Sequence, residues 1–163
     1  MKTRLTLIAL ILIAVGGGSV WYYNQPEQKI SRVVDQFIGA VEYDSTKLRS
    51  RDDVHEAVRA TTRESIKLKV SELPFNIQVP DEMAFNTLCS RLDLLHNMTS
   101  EREFKSLEQE VKVIKDKAQL TRIAEITMAA PLQERKTEAW KLVFDLELKG
   151  DWKITAIRAR RHQ

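Results

Sequence analysis

Hydrophobic positions follow three rhythms along this chain. From Leu5 to Tyr23 they are nearly continuous, from Ile30 to about Leu95 they recur mostly at helical spacing, and from Ser106 to Ala159 they alternate with polar residues. Ile30, Val33, Val34, Phe37, Ile38 and Val41 share one face of a predicted helix that ends near Tyr43, with Pro26 suited to its first turn. The stretch YDSTKLRS breaks it. Ser50 with Asp53 three residues on resembles a capping box, and Val54, Ala57 and Val58 predict a second amphipathic helix to about Arg63. A third helix is expected in DEMAFNTLCSRLDLLHNM, where Met83, Leu88, Leu92 and Leu95 follow two acidic residues suited to a helix start.

Between the second and third helices, Ile66, Leu68 and Val70 and then Phe75, Ile77 and Val79 alternate, predicting extended segments broken at Pro74 and closed at Pro80. The last third of the chain holds four strand patterns, SLEQEVKVI, QLTRIAEITMA, EAWKLVFDLEL and DWKITAIRA, joined by short turns that suit an antiparallel meander. A two-residue turn at the final hairpin would set Lys149 opposite Trp152. A three-residue loop KGD instead pairs Leu148 with Trp152, Leu146 with Ile154 and Phe144 with Ala156, and it is preferred because it keeps one face apolar. Helices followed by such a sheet make an α+β plan, with the helices covering one face of a curved antiparallel sheet.

The N-terminal block has two readings. Leu5 to Val15 behind Lys2 and Arg4, with small residues after it, fits a secretory signal that is removed. The uncharged stretch nevertheless runs 19 residues from Leu5 to Tyr23, about 28 Å as a helix and close to the thickness of a bilayer core. Trp21, Tyr22 and Tyr23 would then form an aromatic belt at one interface, and Lys2 and Arg4 would hold the N-terminus in the cytoplasm. Ala14 and Gly18 add a small-residue pair of the kind that packs against another span. The retained anchor is preferred: residues 1–23 as a single-pass span of the cytoplasmic membrane, 24–29 as a linker and 30–163 as an extracytoplasmic domain. A cleaved, periplasmic or secreted form is the alternative.

Charge adds little once that block is set aside. Of 26 basic and 23 acidic residues, Lys2 and Arg4 precede the apolar run, so the folded part is nearly neutral and has no basic stripe to track a phosphate backbone. Nucleic acid is therefore not an expected partner. The single cysteine, Cys89, permits no internal disulfide and no cysteine-rich metal cluster, and a buried, inert thiol is expected.

FIGAVEYDSTKL, VKVIKDKAQLT and above all LVFDLELKGDWKI resemble the nuclear transport factor two-like superfamily, over about Ile30 to Arg161. The resemblance implies a cone-shaped α+β domain whose site, where one exists, is the pocket between the concave sheet and the helices. The superfamily spans ketosteroid-isomerase-like and dehydratase-like enzymes, ligand-binding proteins and exported domains that bind partners, and dimers through the sheet are frequent in it. Its enzymes place an acidic base or a His/Asp pair in the pocket; no such motif matches here residue by residue.

Candidate chemistry is correspondingly sparse. His55 and His96, with Asp35, Asp93 or Glu125, are the groups from which an acid–base pair would be built. Their settings, DDVHEAVR and LLHNM, are ordinary for a solvated or cap-adjacent histidine, so a structural role is expected. Two distant histidines without a third ligand predict no metal, and no cofactor is expected. Arg122 shares the parity of Leu120, Ala124, Ile126 and Met128 and so joins Asp35, His55, Asp93 and His96 as a candidate pocket residue, while Glu125 is expected to be exposed. Trp140 and Trp152 are expected in the core. Arg158, Arg160 and Arg161 are candidates for meeting anionic headgroups or an acidic partner.

The expected function is that of a non-enzymatic accessory or scaffold subunit, whose exported domain binds a protein partner or a second copy of itself. A small apolar molecule or lipid in the cone pocket is the alternative. An isomerase- or hydrolase-like enzyme comes third, because it needs an inward-facing carboxylate or histidine.

Overall fold

The computed structural model describes residues 24–46, 50–71, 81–131 and 134–162. The predicted anchor, with Lys2, Arg4, Trp21, Tyr22 and Tyr23, lies outside them, as do Phe75, Ile77 and Val79. No helix among the described residues is long and apolar enough to cross a membrane.

Helix α1 (Pro26–Val41) begins with Pro26 in its first turn, so much of the stretch read as a linker is already helical. Its face of Ile30, Val34, Phe37 and Ile38 is buried, each such side chain contributing about 1.5–3 kcal/mol when fully removed from water. Phe37 meets Phe144 edge to face at 6.2 Å. After the two-residue strand β1 (Tyr43–Asp44), helix α2 (Arg51–Thr61) is capped by Ser50, whose hydroxyl accepts from the Asp52 N–H at 3.1 Å. Strand β2 (Thr62–Val70) and the short β3 (Glu82–Ala84) lead to α3 (Phe85–Met98). The third helix thus starts later than the acidic pair suggested. Glu82 and Met83 lie in β3, where Met83 is buried opposite Ile66, and the first turn of α3 holds no acid.

Strands β4 (Glu101–Ile114), β5 (Lys117–Ala129), β6 (Lys136–Lys149) and β7 (Asp151–Arg161) form the expected antiparallel meander. The described strands make one sheet in the order β1-β4-β5-β6-β7-β2-β3. One pairing departs from a purely antiparallel sheet, because β2 runs parallel to β7. The helices line one face, and the core lies between them and the inward residues of the sheet.

Two bulges decide which residues face that core. At the last hairpin Leu148 pairs with Trp152 and Leu146 with Ile154, as expected, with Gly150 at φ +80°. Thr155 is then unpaired, and Phe144 stands opposite Ile157 rather than Ala156. A strict alternation would have turned the buried Ile157 outward; the extra residue restores it to the core and bends the strand. On β4, Leu107 is skipped in the same way, so Arg102 and Phe104 before it share the inward face with Gln109, Val111 and Val113 after it.

Candidate functional site

Alternation along β5 buries Ala118, Leu120, Arg122, Ala124 and Ile126 in succession, so Arg122 is carried into the interior by the strand itself. The cost of burying it is offset by partners from two other elements. Its Nη2 donates to Asp35 Oδ1 of α1 at 2.6 Å, while Nε donates to Gln109 Oε1 of β4 at 3.1 Å and Nη2 also reaches that oxygen. Gln109 Nε2 in turn donates to Ser31 Oγ at 2.8 Å, and Ser31 donates to the Glu27 carbonyl at 2.9 Å. Glu27, Ser31 and Asp35 form one stripe of α1, so this network fastens the helix to the sheet. Asp35 is 58% exposed, which makes it a rim carboxylate neutralised by Arg122 rather than an enclosed base.

The structure also pairs His55 with Asp93. Nε2 lies 3.1 Å from Oδ1 across α2 and α3, with both side chains partly exposed. The contact joins two helices on their flank, beside inward residues Val54 and Leu92. Cys89, one turn before Asp93, is buried as expected; burial raises its thiol pKa, the Asp93 charge adds to that and Arg59 opposes it.

His96 lies elsewhere, its ring stacked on Tyr43 with centroids 4.8 Å apart and 23° between planes. Tyr43 in turn borders Arg102, whose guanidinium carbon is 5.8 Å from the ring centroid. Arg102 is 4% exposed, and burial pushes its pKa down to about 10 against a small raising effect of Tyr43. Among the candidate residues, Asp35 therefore contacts Arg122, His55 contacts Asp93, and His96 stacks on Tyr43. Arg102, Tyr43 and Gln109 escaped the sequence reading, although Arg102 has the same parity as Phe104, the one signal that could have marked it.

Glu125 is 40% exposed and meets Lys105 at 3.3 Å on the outer face, as its parity implied. Trp140 and Trp152 are buried. At the C-terminus Arg158 grips Asp145 through both carboxylate oxygens at 2.8 and 2.9 Å, Arg161 meets Glu138 at 3.1 Å, and Arg160 is exposed. Two of the three arginines proposed for headgroup contact are thus already paired within the sheet. Among the described residues no group of three His, Cys, Asp or Glu side chains could hold a metal ion. An open groove of about 620 Å³ runs between the start of α1 and the two hairpin tips, with Lys29, Arg32, Val33, Leu148 and Trp152 among its walls.

No family model matches the chain, and no curated protein matches it in sequence. Solved structures match in shape. An NTF2-like protein from Cytophaga hutchinsonii aligns over 85% of this chain and 99% of its own at 10% identity, with a TM-score of 0.62. A candidate scytalone dehydratase from Novosphingobium aromaticivorans aligns over 83% of each chain at 9% identity and a TM-score of 0.64. An NTF2-like protein of unknown function from Pseudomonas putida covers 82% of this chain and 84% of its own at 14% identity and a TM-score of 0.60. The fold is nuclear transport factor two-like. At these identities the likeness is one of fold, and the nuclear transport factor two-like frame hosts several unrelated activities.

Proposed function

We propose that the chain is a membrane-tethered, extracytoplasmic nuclear transport factor two-like domain that serves as a non-enzymatic accessory or scaffold subunit and binds a protein partner. The observation that carries the reading is where the candidate acid–base residues are spent. Asp35 is neutralised by Arg122 at the helix–sheet junction, and Asp93 holds His55 between two helices. The acid–base groups of both pairs are partly exposed and engaged with a partner, so an isomerase or dehydratase of the kind named among the structural neighbours has no poised base in these residues. The tether rests on the 19 uncharged residues that precede the domain and on the cationic and aromatic residues at their two ends.

The test is the intact mass of the protein in the membrane fraction of its host, together with what co-purifies in mild detergent. A full-length mass with a stoichiometric protein partner is the expected result. A mass beginning near Gly17 or Val20 in the soluble exported fraction overturns the tether. Full-length protein recovered alone, at membrane concentrations that preserve other complexes, overturns the partner.

A further inference from the structure

Arg102 is the buried charge that the fold leaves unanswered. A guanidinium has five N–H donors. One, at Nε, goes to the Val41 carbonyl at 3.1 Å, where it caps the C-terminal end of α1. Nη1 and Nη2 are both buried, and neither has a hydrogen-bond partner among the described residues. With a pKa near 10 the group is charged at neutral pH, and an unpaired buried charge is among the costliest features a fold can carry.

The acids that could answer it are engaged elsewhere. Glu42 accepts from the Phe104 N–H at 3.2 Å through Oε1. Glu101 and Glu103 lie on the outer face of β4, and both bind Arg135, at 2.8 and 3.0 Å. Asp44 accepts from Thr46 in its own turn. Outside the described residues the chain has a single acidic side chain, Glu72.

We infer that Arg102 is the anchor of a binding site for a small monocarboxylate with an apolar or aromatic body, at the end of the cone farthest from the start of α1. Two parallel N–H groups from Nη1 and Nη2 match the two oxygens of a carboxylate. A single negative charge neutralises the guanidinium, whereas a phosphate dianion would leave a buried excess. The neighbouring surface suits an apolar body: Phe104 and Met128 share the inward face and are partly buried, and the stacked rings of Tyr43 and His96 stand over the guanidinium side. The sheet edge lies beside it, since Tyr43 rides on the terminal strand, two residues long and paired to Glu101 and Arg102. The site lies a full helix length, about 24 Å, from Pro26, so it stands independently of the membrane reading.

The experiment is thermal unfolding of the full-length protein in mild detergent with sodium benzoate or phenylacetate, against sodium chloride at equal ionic strength. In parallel, the Nη resonances of arginine-labelled protein are followed by NMR. A saturable rise in melting temperature of roughly 5–10 °C at a hundredfold excess over the dissociation constant is expected, with a shift of one buried Nη signal. Arg102→Met abolishes both responses, and Arg102→Lys, which keeps the charge and loses the fork, loses most of the thermal response. The wild-type NMR titration decides the matter should either variant fail to fold. No saturable response to either carboxylate, an equal response to chloride, or a response retained in Arg102→Met each overturns the site. A melting temperature lowered by Glu72→Gln in the wild type but not in Arg102→Met also overturns it, because Glu72 would then be the counter-ion.

Discussion

Arg122 and Arg102 stand on adjacent strands, on the same inward face, and are 6% and 4% exposed. Their surroundings differ completely. Arg122 is answered by a carboxylate and an amide that arrive from α1 and β4, and the amide is itself held by Ser31. Arg102 has one backbone carbonyl and lies over the Tyr43 ring. Equal burial of the same side chain can thus mean a structural fastener in one place and an unspent binding group in another. Exposure does not separate them; the count of satisfied donors does.

Three substitutions and a pH series would sharpen or break that contrast. The largest effect is expected for Arg122→Met, which removes the charge-assisted hydrogen bonds to Gln109 and Asp35 and loosens α1 from the sheet; a loss of about 1.5–3 kcal/mol in urea unfolding follows from losing those bonds of the buried guanidinium. Arg102→Met removes one hydrogen bond together with a desolvated charge, two effects of opposite sign, and should fall within about 1 kcal/mol of wild type when no carboxylate is present. If the two arginine variants lose stability equally, both side chains are fasteners and the contrast fails.

Smaller again is His55→Asn. The His55–Asp93 pair is partly exposed, so its loss should cost on the order of 0.5 kcal/mol and leave α2 in place by circular dichroism. A loss several times larger would mean that the pair organises the helical layer. The slightest change is the pH dependence of the wild type relative to Arg102→Met. Burial lowers the Arg102 pKa to about 10, so between that value and the higher one of an unfolded arginine the unfolded chain holds the extra proton and stability rises with pH. The difference in unfolding midpoint should be flat from neutral pH to about 9 and then move in favour of the wild type. Only the lower part of that window is reachable before lysines and tyrosines titrate, and movement in the other direction would show that the native state favours the charged form.

Much of the fold was legible in the residue pattern. The α1 face, the four-strand meander, the Leu148–Trp152 register and the burial of Trp140 and Trp152 all rest on periodicity over long, consistent segments. The short elements were not legible: β1 and β3 are too brief to show a period, and the parallel contact of β2 with β7 joins residues far apart in the chain. The candidate residues were read in part. Asp35, Arg122, His55 and Asp93 were named individually, but nothing in a linear pattern pairs residues 87 and 38 positions apart.

Local sequence thus determined where the chain is helical or extended and which residues tend toward the core, because those preferences are set by side-chain period and backbone propensity over a few turns or strand pairs. The tertiary structure decided which buried charges are satisfied. Bulges at Leu107 and Thr155 shift the parity by one residue, and partners for a guanidinium are gathered from distant elements in three dimensions. That is why Arg122 became a fastener and Arg102, unmarked in the sequence, became the group with donors to spare.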